Sequence, residues 1–249
     1  MDKSFTETPQ VLLECSTHWI LDKPSGWLVH PQRGVDALAM TDWVAQNLGQ
    51  GRSFPVHRLD RGTSGIMVWA KNSESARYWQ QAWQAGAVRK GYLALVRGRL
   101  IDEHFVDHPV PGDEGAARKP AQSKILPIES ITATPRPLSL VEVEPYTGRF
   151  HQIRRHVKHL GHPLIGDSNY GRTELNRAFR DSVGLSRLAL HAAWLSLPSP
   201  DNGEVSVVHY ASLPASLQSP LCKLGFSPRS LSKDAFKLFL KARVHQAVE

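Results

Sequence analysis

The chain has 249 residues, 41% of them hydrophobic and 21% charged, a mix that can bury a core and excludes a disordered or fibrous polymer. Its formal net charge of +7 favours a polyanionic partner, although net charge bears on association and not on fold. No apolar run reaches the roughly 20 residues of a membrane span, and MDKSFTETPQ has no secretory apolar core. A cytoplasmic, membrane-free monomer is expected.

Along the chain, residues 1–10 read as a loose tail. HWILDKPSG (18–26) is a short strand entering a Pro/Gly turn. VDALAMTDWVAQNL (35–48) carries Leu38, Trp43, Val44 and Leu48 at near-helical spacing. GIMVWAK (65–71) is a buried strand. SESARYWQQAWQAG (73–86) is a helix, capped by Ser73, striped by Ala76, Trp79 and Trp83, and ended by Gly86. GYLALVRGRL (91–100) alternates like a half-buried strand. DHPVPGDEGAARKPAQ (107–122) is a long exposed loop.

SKILPIES (123–130) and PLSLVEVEP (137–145) are further strands; in the second, Leu138, Leu140 and Glu142 share one face. RFHQIRRHVKHLG (149–161) is a basic helix with Ile153, Val157 and Leu160 inward, stopped by Gly161 and Pro163. EVSVVHYA (204–211) is a late strand. Strands come in groups and helices do not alternate strictly with them. That predicts an α+β fold with a mainly antiparallel sheet and flanking helices, in preference to a doubly wound parallel sheet. One domain is expected over 11–226, followed by a helical appendage over 227–249.

Chemistry concentrates in three stretches. HRLDRGTSG (57–65) sets Asp60 between Arg58 and Arg61. This is either an Asx-type turn with surface ion pairs of little energetic value or a loop carrying a catalytic carboxylate. TGRFHQIRRHVKHLGHPLIGDSNYG (147–171) presents Arg149, Arg154, Arg155 and Lys158 with no acid between 149 and 162, a face suited to phosphate groups. Its histidines, His151, His156, His159 and His162, have the wrong spacing for a metal, since helical ligand pairs favour i, i+4 and only His156 and His159 come near that. Cys15 and Cys222 also lack the paired spacing of a zinc site, so no metal is expected. In RKGYLALVRG (89–98), Tyr92 opens a strand, either as a core or edge residue or as a base-stacking ring. Neither GxGxxG nor GxxxxGK[ST] occurs, so no nucleotide cofactor is indicated.

HRLDRGTSG resembles the signature of the RluA-type pseudouridine synthases. KPSGWLVH (23–30), KGYLALVRG (90–98), TGRFHQIRRHVKHLGHPLIGD (147–167) and RLALHA (187–192) are similar to that family's other blocks, in the same order. The doubled arginine of HQIRRHVKHL and IGDSNYG are most similar to the TruC type, which acts on uridine 65 of tRNA. The S4 RNA-binding module that some relatives carry is not expected before residue 18.

The resemblance implies a central RNA-binding cleft and isomerisation of a uridine in RNA, most simply tRNA, without cofactor. It implies that Asp60 is the essential carboxylate, Arg154 its paired cation (Arg149 the alternative) and Tyr92 the ring on which uracil stacks. It further implies that Ile153 packs beside the base. It also implies that Arg58 fills the space left when the target nucleotide flips out of its stack. Arg155, Lys158, Arg172 and Arg177 would contact RNA backbone. Rival readings are the same reaction on ribosomal RNA or another tRNA site, a catalytically inactive RNA-binding protein of this fold, and a histidine-dependent metallohydrolase.

Overall fold

The computed structural model of the protein describes residues 7–49, 53–112, 117–132, 136–198 and 206–232. The chain divides into two compact units. One comprises Met1–Lys90 and Leu195–Ala211, the other Gly91–Trp194 and Ser212–Glu249. The fold is α+β, its paired strands mainly antiparallel. No helix among the described residues is long and apolar enough to cross a membrane.

In the first unit, β1 (Gln10–Glu14) pairs with β2 (His18–Lys23). Residues 1–6 of the expected tail lie outside the described residues, and Gln10 already begins a strand. Helix α1 covers Met40–Asn47, five residues shorter at its start than the spacing predicts. The backbone there is already engaged: Leu28 N–H donates to Leu38 C=O and Met40 N–H to Leu28 C=O, so Leu38 stays outside the helix and 53% exposed. The short β3 (Phe54–Pro55) pairs with the end of β4 (Ser64–Ala70). β2 aligns along β4 in the register Asp22↔Ile66 and Lys23↔Gly65. All seven residues of β4 are buried, which is why that segment reads as a continuous apolar run.

Helix α2 (Ser73–Gln84) follows, and its cap is a correction. Asn72, not Ser73, is the N-cap, its side chain accepting from Ser75 N–H while Ser75 completes the capping box. Asn supplies the same oxygen one residue earlier.

In the second unit, β5 (Arg89–Arg97, which enters this unit at Gly91), β6 (His104–Asp107), β7 (Gln122–Ile131) and β8 (Leu138–Pro145) run in the order β5-β8-β7-β6, with every ladder antiparallel. Leu93–Val96 and all of β8 are buried, so the half-buried alternation expected for β5 is replaced by burial on both faces. One face joins a core of Ala94, Val96, Val141, Val143, Ile153, Val157 and Leu164. On the other, Leu93, Leu95, Leu138 and Leu140 are equally buried, and Glu142 accepts a bond from Trp194 Nε1 at 3.0 Å. Helix α3 (Gln152–His159) supplies Ile153 and Val157 to the first of these faces. Each buried side chain of that size is worth about 1.5–3 kcal/mol.

The expected loop at 107–122 is partly structured. β6 precedes it, Val110 and Lys119 form an isolated bridge, and Val110 and Ala121 are buried. Helices α4 (Thr173–Val183) and α5 (Ala215–Leu224) also belong to this unit. β9 (Leu190–Pro198) carries the chain from this unit into the first, where β10 (Ser206–Tyr210) follows. Of the expected C-terminal appendage, residues 227–232 form turns and the remainder lies outside the described residues.

Candidate active site

The Asp60 loop belongs to the first unit. Leu59 is buried, Arg58 is exposed and Asp60 is half-buried. Thr63 N–H donates to Asp60 C=O at 3.0 Å, so the chain turns at the aspartate before entering β4. The residues that follow are fastened to the turn after β2. Gly26 N–H donates to Arg61 C=O at 2.8 Å, Ser25 Oγ to Gly62 C=O at 2.8 Å, and Arg61 Nε returns a bond to Gly26 C=O at 3.2 Å.

Beneath them lies Lys23, fully buried. Its ammonium donates to Pro24 C=O (2.9 Å), Trp27 C=O (2.8 Å) and Arg61 C=O (3.4 Å). A buried ammonium needs such acceptors to offset its lost hydration. KPSGW and HRLDRGTSG are therefore one structure, the first holding the second. Sequence reasoning named both stretches but missed this link. The available signal was a lysine closing an apolar strand directly before proline.

His57, at the start of the loop, stacks on Trp83 with centroids 4.3 Å apart, and its Nε2 accepts from Val68 N–H at 3.1 Å. The ring is thus neutral, with its proton on Nδ1. Burial, and then the nearby charge of Lys90, push its pKa down to about 3. Lys90 lies 5.9 Å from the Trp83 ring centroid, and burial lowers its pKa to about 8.

The second unit holds Arg154, Tyr92, Ile153, Arg149, Arg155 and Lys158. Arg154 is 7% exposed. Within its own unit its partner is Asp167, which the sequence reading did not single out: Nε meets Oδ2 and Nη2 meets Oδ1, both at 2.8 Å. This is the bidentate geometry for which guanidinium is suited and ammonium is not. Asp167 also accepts from the backbone N–H groups of Asn169 (2.9 Å) and Tyr170 (3.0 Å). Burial alone would raise its pKa, but the bonds from Arg154, Tyr170 and Asn169 outweigh that and hold the carboxyl below its ordinary value.

The loop bearing Asp167 is itself locked. Asn176, from α4, accepts from Gly166 N–H and donates to Asp167 C=O, each at 2.9 Å. Gly166 sits at φ +77, where a Cβ would lie 1.9 Å from Arg187 O, so no larger residue fits. The legible signal was an aspartate flanked by glycine and a turn-forming Ser-Asn in IGDSNYG.

His151 precedes α3 in the left-handed region, φ 56 and ψ 24, a conformation that strains a residue with a side chain. Its ring is held on both sides. Arg154 Nη1 donates to Nε2 at 2.7 Å, so the proton sits on Nδ1, facing the Tyr170 hydroxyl at 3.2 Å. Three cations surround the Tyr170 ring: Arg154 at 5.1 Å, Arg155 at 5.3 Å and Lys158 at 5.5 Å from its centroid. Gln152, buried, ties the preceding turn to β7, accepting from Thr147 Oγ1 (2.6 Å) and Arg149 N–H (3.0 Å) and donating to Gln122 C=O (2.8 Å). Arg149 is exposed, with its Nε on Pro120 C=O at 3.2 Å.

Tyr92 lies half-buried on β5, opposite Val143, and packs against the core cluster that contains Ile153. The four histidines diverge. His156 is buried between Ser123 Oγ and His108 C=O, His159 stacks on His108, His162 meets Arg97 C=O, and His151 serves Arg154. Among the described residues no group of three potential metal ligands converges.

Comparison with known proteins agrees on one family. Residues 17–159 match the sequence model of the RNA pseudouridylate synthases. The tRNA pseudouridine synthase C of Salmonella typhi is 36% identical over 211 residues, 76% of this chain and 81% of the relative. That of Pasteurella multocida is 39% identical over 72% of this chain and 82% of the relative. Among solved structures, Human RNA Pseudouridylate Synthase Domain Containing 1 superposes with a TM-score of 0.74 at 25% identity, covering 97% of this chain and 98% of that one. The chain belongs to the RNA pseudouridylate synthase family and is an RNA-acting isomerase.

Proposed function

We propose that the protein converts a uridine of tRNA, at position 65, to pseudouridine, with Asp60 as the catalytic carboxylate. Relatives at 34–39% identity named tRNA pseudouridine synthase C support the tRNA substrate, and the observation that carries the assignment of Asp60 is the clamp on its loop. Lys23, Ser25 and Gly26 hold the two residues after the aspartate. A group held this way loses little freedom when it meets substrate, which is what positioning contributes to a rate.

In the reaction the N1–C1′ bond breaks, the uracil turns over, C5 bonds to C1′, and the C5 hydrogen leaves as a proton while N1 gains one. There is no net redox change, so the chemistry asks for no electron-transferring cofactor. Asp60 either attacks C1′ or stabilises positive charge developing on the sugar, and both roles require it ionised. Arg154 supplies the fixed cation, its plane set by Asp167. Tyr92 offers the ring face for the flipped uracil, with Ile153 beside it. Arg58 occupies the vacated stack, and Arg149, Arg155 and Lys158 contact phosphates.

Mapping pseudouridines in total tRNA and ribosomal RNA from cells with and without this protein tests the reading. Loss of the modification at tRNA position 65 alone is expected. Loss only in ribosomal RNA, or at another tRNA site, would replace the substrate assignment.

A further inference from the structure

Among the described residues four Phe, Tyr or Trp side chains are exposed: Tyr78, Phe105, Tyr146 and Phe150. The last three belong to the second unit and gather around one turn, 146–151. Phe150 is 52% exposed and lies flat against His151, ring centroids 3.7 Å apart and planes at 21°. Tyr146, 49% exposed, faces Phe105, 59% exposed, at 6.0 Å.

The turn is rigid. Tyr146 N–H donates to Gln122 C=O, Gln152 holds Thr147 and Arg149, and His151 is fixed between Arg154 and Tyr170. The surroundings are basic. Arg149 and Lys158 are exposed and Arg155 half-exposed. Of the nearby acids, Glu103 is neutralised by Lys124 at 2.7 Å, and Asp107 accepts from the Gln122 amide at 3.0 Å.

The Phe150 ring, flat against His151 on a preorganised turn, and the open Tyr146–Phe105 pair, its planes tilted at 42°, do nothing for the core. Aromatic faces interleaved with cations are instead the arrangement that binds unstacked nucleotides. We propose that Phe150, backed by His151, together with the Tyr146–Phe105 pair, forms a stacking platform for unpaired nucleotides of the substrate RNA other than the target uridine. The inference rests on RNA being the substrate. The open face of Phe150 takes a base and extends the existing two-ring stack, while Arg149 and Lys158 meet the adjacent phosphates. A peptide partner would not call for this pairing of open rings with cations.

The test is the affinity of the full chain for fluorescently labelled tRNA and for a blunt RNA duplex without unpaired bases. F150A and F150L are expected to weaken tRNA binding about 5- to 150-fold, the range for one lost base–aromatic stack, while duplex binding holds. F150W restores tRNA binding, because an indole stacks where leucine cannot. Unchanged tRNA affinity in F150L would overturn the proposal, as would an equal loss on the duplex or failure of F150W to restore binding. Affinity is read without reference to pseudouridine formation, so the isomerase assignment and the stacking platform fail separately.

Discussion

Removing the carboxylate of Asp167 tests how the second unit holds its central arginine. The Asp167 side chain is 0% exposed and that of Arg154 8%. Two guanidinium donors and two backbone N–H groups converge on this one carboxylate. Breaking a buried ion pair from one side costs about 3–5 kcal/mol, because the remaining charge is left without its partner. At about 2–4 °C per kcal/mol for a chain of this size, Asp167→Ala should lower the melting temperature by about 6–20 °C.

The double variant R154M/D167L, which removes both charges and keeps apolar volume, should recover most of that loss. Circular dichroism melts of the two variants and wild type provide the assay. A loss below about 2 °C in Asp167→Ala, or a double variant less stable than Asp167→Ala, would refute the reasoning. Because the pair lowers the pKa of Asp167 beneath its ordinary 3.8, its contribution is full above that pH and disappears only as pH falls through the lower folded value.

Arg154→Ala should reduce turnover about 100-fold or more, as expected when a fixed electrostatic group is removed. Arg155→Ala should mainly weaken tRNA binding and lower the salt dependence of affinity by about one charge. Single-turnover rates and binding isotherms separate these effects, and equal rate losses would remove Arg154 from its role. His57 titrates at about 3 in the fold against an ordinary 6.5, so the unfolded chain takes the proton first. Its stabilising contribution is full above pH 6.5 and is lost progressively as pH falls toward 3. His18, lowered to about 4 by burial first, acts in the same direction. Melting temperatures between pH 7 and pH 4 should therefore fall less steeply in H57Q than in wild type, and parallel curves would contradict the assignment.

The pieces legible in sequence were those whose pattern is local. The apolar run of β4, the 3.6-residue stripe of α3 and the alternation that put Leu138, Leu140 and Glu142 on one face of β8 all follow from side-chain period. The start of α1 was not legible, because Leu28, ten residues away, captures the backbone of Leu38 and Met40. The burial of β5 on both faces depends on strands distant in sequence.

The same distinction applies at the candidate site. The residues of HRLDRGTSG left Asp60 open between a turn residue and a catalytic carboxylate, and the resemblance to the RluA-type synthases pointed to the second. The lysine that holds the loop through Arg61 C=O comes from 38 residues before that arginine, and the aspartate that orients Arg154 from 13 residues after it. No window of sequence carries either pairing. Asp167 in particular reads as an ordinary turn residue until its two oxygens are seen facing a guanidinium.

The account stands most directly on Asp60. Wild type and Asp60→Asn should be compared for release of tritium from tRNA labelled at uridine C5, under single-turnover conditions with RNA binding measured in parallel. Asparagine keeps the shape and the Thr63 backbone turn but cannot carry negative charge. The prediction is tritium release at background with RNA affinity within about threefold of wild type, since the backbone contacts that dominate affinity are untouched. Release at or near the wild-type rate would contradict the claim that this carboxylate performs the chemistry.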